Sequence, residues 1–309
     1  MDKKIAALKL CRQNGFTIIE LLVVIAIIGI LAGLITVGMA GSLERARIAK
    51  IQGFSSTLRT ALMGNRISEW KFDEGMGTTT ADTVGTNTGT LLPALGPAWK
   101  SGAECVSGGC LSFDGVNDYV DVGNVIDANI DGTNSKTITA WIKPSSIQVG
   151  DHIVTKWTTA ATGAGWQFNF GTALKLEFWA RNSAATDWNY IANSANFTTG
   201  KWQHAVVTIN AGVIKLYKDG TEVSGTYLGS ALDATNALSV QIGTRRGSSA
   251  EFFDGSIDEV RIYNAALTAS AIRGQYLAGL DKLLAIGEIT QKEYQEKLLK
   301  LDSTYAGNK

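Results

Sequence analysis

The side chains able to do chemistry are few in this chain, and their spacing excludes more than it permits. His152 and His204 are the only histidines, too few for a histidine-rich metal centre or a two-histidine catalytic site. His204 alternates with Val206 in a strand-like run, the pattern of a packed imidazole. Glu177 has Trp179 rather than a carboxylate two residues on, and glycoside hydrolysis needs two acids flanking the scissile bond. Cys105 and Cys110 enclose Val-Ser-Gly-Gly and suit a small disulfide loop, since two thiols are too few to hold zinc. Asp118 shares strand parity with Val120 and Val122, and Asp258 with Val260 and Ile262. Carboxylates at core-facing positions must be paired or hydrogen-bonded. They either anchor a Ca²⁺ site, which takes six to eight oxygens, or cap amides of their own loops. Of eight tryptophans, Trp70, Trp141, Trp179 and Trp202 lie inside strand runs and read as sheet-packing residues. Trp157, Trp166 and Trp188 border Gly/Ala/Thr/Asn-rich loops and are the candidates for platforms that stack on sugar rings.

A further carboxylate stands where none is expected. Glu20 interrupts an apolar run from Phe16 to about Ala40. As a helix that run is roughly 37 Å long, enough to cross a hydrocarbon core of about 30 Å. The preceding residues 1–15 carry four basic side chains against one acidic. That excess places the leader in the cytoplasm and the rest of the chain outside. A lone carboxylate in such a run costs about 2.5–3.5 kcal/mol and needs a partner. Cleavage between Gly15 and Phe16 would create an α-ammonium one helical turn away, within the subunit or on a packed neighbour.

Gly15-Phe16-Thr17-Ile-Ile-Glu20 followed by a long aliphatic helix resembles the type IV prepilin family. The resemblance implies cleavage after Gly15 by a prepilin peptidase and N-methylation of Phe16. It also implies assembly with other pilin or pseudopilin subunits, with Glu20 setting the register. The sequence departs from many pilins in lacking a proline about twenty residues into the mature helix, where Thr36-Val37-Gly38 stands. From Ser42 to Met63 an apolar stripe of Leu43, Ile48, Ile51, Leu58 and Leu62 continues the helix. Its other face is basic through Arg45, Arg47, Lys50 and Arg59, and serves either as a solvated face or for headgroup or DNA contact. Over the whole chain Lys+Arg and Asp+Glu are both 28, so there is no strong nucleic-acid signal.

From Arg66 to Tyr263 the pattern turns to short alternating runs, with Asp-Gly at 114–115, 131–132, 219–220 and 254–255. Asp-Gly is a strong tight-turn signal, and no helical crossover intervenes to make a parallel sheet. The fold class expected is therefore mainly β, an antiparallel sandwich. Four ordered motifs resemble the laminin G-like, concanavalin A-like jelly roll. They are Trp70-Lys-Phe-Asp-Glu-Gly, Leu111-Ser-Phe-Asp-Gly with Asn117-Asp118-Tyr119, Trp202-Gln-His204, and Phe253-Asp-Gly with Ile257-Asp258-Glu-Val-Arg-Ile-Tyr263. That resemblance implies binding of carbohydrate or glycoprotein, with Ca²⁺ at one rim. The Glu-x-Asp-x-x-Glu strand of the family's hydrolases is missing, so no enzyme is expected.

The last segment is polar and helical. Gly287 reads as a helix stop and Thr290-x-x-Glu293 as a capping box, with Ile289 and Tyr294 as its hydrophobic staple. Gly287-Glu-Ile-Thr-Gln-Lys-Glu-Tyr294 resembles the core of the SHOCT short C-terminal domain, which implies oligomerisation or partner contact. A helical cap on the sandwich is the other reading. The expected organisation is a cleaved leader (1–15), a pilin-type helix (16–65, spanning the membrane over about 16–40), a β-sandwich (66–279) and a helical hairpin with tail (280–309). Together they describe a protein held in the cytoplasmic membrane and then displayed on a pilus or the cell surface. It serves as an adhesin, or as a structural pseudopilin of a secretion or DNA-uptake machine.

Overall fold

The computed structural model describes residues 17–31, 63–131, 133–158, 163–171, 175–182, 184, 187–223, 225–228 and 233–306. The chain divides into two compact units, Met1–Ile51 and Gln52–Lys309. Within the first, residues 18–31 form helix α1. Thr17 caps it: the Thr17 amide and hydroxyl both donate to Glu20 Oε2 (2.8 and 2.9 Å), and the Glu20 amide donates to Thr17 Oγ1 at 3.3 Å. That reciprocal pairing is a capping box. The apolar side chains of α1 are exposed, Ile18 to 79% and Leu31 to 51%. No helix among the described residues is long and apolar enough to cross a membrane. The expected span from residue 32 to Ala40, the continuation up to residue 62 and its basic face lie outside the described residues, and Met63–Asn65 is a single 3-10 turn.

The second unit is an antiparallel sandwich of two sheets. One is built from β1 (Arg66–Trp70), β4 (Ala98–Ser101), β5 (Gly109–Asp114), β7 (Ser135–Pro144), β12 (Gln203–Asn210), β13 (Val213–Lys218), β14 (Thr221–Val223) and β17 (Asp254–Tyr263). The other holds β2 (Thr79–Thr80), β3 (Gly89–Leu92), β6 (Tyr119–Asp121), β8 (His152–Lys156), β9 (Gly165–Phe170), β10 (Lys175–Arg181), β11 (Asp187–Asn196), β15 (Gly225–Leu228) and β16 (Gln241–Ile242). The first runs β14-β13-β12-β7-β17-β5-β4 with β1 also on β17, and the second β15-β11-β10-β9-β8-β16-β6-β3-β2. Every strand pair named is antiparallel, as the absence of helical crossovers requires. The Asp219-Gly220 turn closes the β13–β14 hairpin with φ of 50° and 76°, the left-handed pair that a tight hairpin turn demands.

Alternation decides what enters the core. Ala205, Val207 and Ile209 of β12 point into the sandwich, as do Trp166, Phe168 and Phe170 of β9 and Leu176, Phe178 and Ala180 of β10. Val206 takes the opposite face and packs with Tyr217, Tyr263, Leu267, Ala271 and Ile272. That second cluster forms because α2 (Ala269–Ala285) lies over the first sheet. The helix passes through the boundary expected at 279/280, since Trp141 stacks on Tyr276 at 5.6 Å and holds α2 down. Gly279 permits the approach: a Cβ there would lie 2.1 Å from the Trp141 ring. The hairpin 280–309 is thus continuous with the sandwich cap. Gly287 turns the chain at φ 79°, and α3 (Gln291–Ala306) opens on the Thr290/Glu293 capping box at 2.9, 3.1 and 3.2 Å.

Candidate functional site

Side chains that alternate away from the core on β8, β9 and β10 meet on the outer face of the nine-stranded sheet. His152 lies opposite Asn169, and Asn169 opposite Glu177. The next row sets Thr155 opposite Gln167 and Gln167 opposite Trp179. With Trp157, Arg181, Arg245 and Glu251, all of these but Thr155 line a cavity of about 380 Å³. Gly171 leaves the space Glu177 needs, since a Cβ there would lie 2.2 Å from Glu177 Oε2.

The floor of this groove is polar, buried and incompletely satisfied. His152 Nε2 and Gln167 Oε1 are 3.0 Å apart. Burial lowers the His152 pKa to about 4, so the ring is neutral. Its Nδ1 forms no regular hydrogen bond but faces the Glu251 backbone, and Asn169 Oδ1 has no partner. His152 is 1% exposed and Asn169 4%. The charged groups are committed: Arg245 pairs with Glu251, the Arg181 guanidinium lies 5.1 Å over the Trp157 ring, and Trp179 Nε1 donates to Glu177. An open acceptor beside an indole and balanced charges suit a ligand rich in hydroxyl donors.

The expected platforms are distributed differently. Trp157 lines the groove. Trp166 does not: it is fully buried, and its indole donates to Ala128 O at 2.9 Å. Trp188 sits opposite Ala180 in register, and its side chain lies outside the described residues. Trp179, read from sequence as packing, faces outward, because Leu176, Phe178 and Ala180 take the inward positions of β10. Trp70, Trp141 and Trp202 are buried. His204 is fully buried between Trp141 and Tyr276. Gln167, Asn169 and Arg181 escaped notice in the sequence, and Glu177 was weighed only as a catalytic acid, although their parity, opposite to the core-facing residues, marks them.

Cys105 and Cys110 form a disulfide, and its loop rests on Asp258. Asp258 Oδ2 accepts from the Val106 and Ser107 amides at 2.9 and 3.1 Å. The carboxyl occupies a bulge in β17 between its pairings with β5 and β1, where Glu259 has φ 53°. Burial pushes the Asp258 pKa well above the usual carboxylate range. Asp118 Oδ2 accepts from the Asp114 amide at 3.1 Å, so the two aspartates serve separate loops. Among the described residues no group of three or more His, Cys, Asp or Glu could hold a metal ion. Two aspartates that serve separate loops do not by themselves supply the six to eight oxygens that Ca²⁺ takes. Gly15 and Phe16 lie outside the described residues.

A family model described as the concanavalin A-like lectin/glucanases superfamily matches residues 114–273, just over half of the chain. The chain belongs to that superfamily. A second model, the prokaryotic N-terminal methylation motif, matches residues 10–36, placing a pilin-like segment before the lectin-like sandwich. The chain is 39% identical over 77 residues to a fimbrial protein of Moraxella nonliquefaciens, an alignment covering 25% of this chain and 49% of that protein. It therefore spans about half the length of that relative. Among solved structures it resembles the binding domain of Paraclostridial Mosquitocidal Protein 1, with TM-score 0.58 and 15% identity over 71% of this chain and 53% of that one. It also resembles domain 4 of AbnA, an extracellular arabinanase of Geobacillus stearothermophilus solved with arabinotriose. There the TM-score is 0.54 at 18% identity, over 68% of this chain and 97% of that one. At such identities the likeness is one of fold.

Proposed function

We propose that this chain is a filament-borne adhesin whose lectin-like sandwich binds carbohydrate in the groove over β8, β9 and β10. The observation that carries the reading is the buried Asn169 Oδ1 without a partner, on a polar groove floor beside Trp157 and Trp179. A sugar hydroxyl supplies the missing donor, and the half-exposed Trp179 offers a ring face. In this reading prepilin peptidase cuts after Gly15, Phe16 is methylated, and Glu20 sets the register against other pilin subunits. The exposed apolar side chains of α1 pack first in the cytoplasmic membrane and then in the filament. The C-terminal hairpin, SHOCT-like in sequence, serves as the cap that buries Trp141. Binding without hydrolysis is proposed because Glu177 and Glu251 are committed to Trp179 and Arg245.

The test is a glycan array on the full chain in detergent, run with Ca²⁺ and with EDTA. Saturable binding is expected in both conditions. Trp179→Ala is expected to weaken it by about tenfold or more, 1.4 kcal/mol, with the unfolding temperature unchanged. A folded chain that binds no glycan in either condition would sink the adhesin and favour a structural pseudopilin whose sandwich only packs against partner subunits. Loss of binding in EDTA alone would restore a role for Ca²⁺.

A further inference from the structure

A second cavity lies on the same sheet face, beyond the first. It holds about 270 Å³ and is lined by Tyr119 and Asp121 of β6, Gln241 of β16, and the 244–252 loop. Register makes the two cavities one track. Trp179, Gln167, Thr155, Gln241, Asp121 and Thr90 stand opposite one another in sequence across β10, β9, β8, β16, β6 and β3. At about 4.8 Å per strand this row is about 24 Å long. Thr155 Oγ1 donates to Thr244 O at 2.8 Å, so the loop crosses the middle of the row. Arg245 lines both cavities and forms the saddle between them.

The second cavity repeats the chemistry of the first. Gln241 is 5% exposed. Its Nε2 donates to Asp121 Oδ2 at 3.3 Å while its Oε1 has no partner. It is a further buried acceptor awaiting a donor, on the strand next to that of His152 and three strands from Trp179. Charges across both cavities cancel among the described side chains, with Glu177, Glu251 and Asp121 against Arg181, Arg245 and Arg246. A single sugar stacked on Trp179 cannot reach Gln241, which stands three strands away, about 14 Å, and an anionic one meets carboxylates as often as guanidinium groups.

We propose that the two cavities are subsites for one linear, uncharged oligosaccharide that crosses the strands over Arg245, a proposal that rests on the glycan-binding reading above. The chain then gains hydroxyl contacts at Gln241 that a short sugar anchored at Trp179 never makes. The added contacts are expected to raise affinity about tenfold, equivalent to about 1.4 kcal/mol.

The experiment is calorimetric titration of the full chain in detergent with the disaccharide and the hexasaccharide of an arabinose series and of a glucose series. For at least one series the hexasaccharide is expected to bind about tenfold more tightly. Gln241→Leu and Tyr119→Ala are expected to bring the hexasaccharide down to disaccharide affinity while leaving the disaccharide unaffected. Equal affinity for both lengths in the unmodified chain, or a length preference that survives both variants, overturns the proposal and leaves the adhesin standing. Failure of both series while the array returns acidic or branched glycans also overturns it alone. A folded chain that binds nothing on either platform removes both readings.

Discussion

Asp258 shows how one residue can look like a ligand and act as a fastener. Its Oδ2 gathers two amides of the disulfide loop, its Oδ1 has no partner, and burial raises its pKa from an ordinary 3.8. A carboxyl with a raised folded-state pKa gives stability that is complete below its unfolded value and is lost as pH rises through the folded value. Asp258→Asn keeps an acceptor for both amides without a charge, so its stability is expected to fall less than that of the parent as pH rises from about 4 to neutrality. Asp258→Ala strands both donors and is expected to cost about 1–3 kcal/mol. Denaturant unfolding of the three proteins across that pH range decides it. A parent whose pH profile matches that of the asparagine variant would show that Asp258 titrates normally. The sequence showed that this residue had to be satisfied, from its parity with Val260 and Ile262. It did not show by what, because Val106 and Ser107 are about 150 positions away and meet it only through the β5–β17 pairing.

At the scale of elements, what was legible followed from local chemistry. The Thr290-x-x-Glu293 box forms as read, because its reciprocal bonds involve neighbours three residues apart. The Asp219-Gly220 hairpin forms for the same reason, and so does the turn at Gly287. The Thr17-x-x-Glu20 box has the same local chemistry and was passed over because Glu20 was read only as the partner of a new N-terminus. The groove was misread where residue type was allowed to outrank parity. Trp166 and Trp179 exchanged roles, although the alternation of Leu176, Phe178 and Ala180 already assigns Trp179 to the outer face. The join at 279/280 was invisible because it depends on a tertiary contact, Trp141 against Tyr276 and Gly279. Gly279→Leu tests that contact. Its side chain would enter the Trp141 ring, and overpacking of this kind costs about 1–3 kcal/mol. Lower thermal stability is expected, together with new accessibility of Trp141 to a fluorescence quencher. Unchanged stability and unchanged quenching would mean that α2 does not need this close approach.

For the molecule as a whole, the proposed function puts display and recognition in different units, Met1–Ile51 and Gln52–Lys309. The groove is built entirely from β8, β9, β10 and the loops beside them, all in the second unit. The proposed processing site is Gly15-Phe16, in the first. The Glu20 carboxylate is held by the Thr17 amide and hydroxyl, and cleavage would introduce a new ammonium one turn away as a competitor for it. The Thr17 bonds are charge-assisted on one side only, whereas an ammonium brings a full opposite charge whose attraction is strong in an apolar setting, so processing is expected to redirect Glu20 from capping its own helix to pairing with an N-terminus. Two variants separate the steps. Gly15→Leu is expected to retain the leader, visible as an uncut chain by intact mass, and to stay in the membrane. Glu20→Gln is expected to be cut normally and to enter filaments poorly. Each purified protein is expected to bind glycan as the parent does, while cells carrying either one lose surface binding. If glycan affinity of the purified protein falls with either substitution, the two units are coupled and the division of labour argued from the sequence is wrong. If cells carrying Gly15→Leu still bind, the sandwich reaches the surface without the filament, and the pilin-like segment serves only as an anchor.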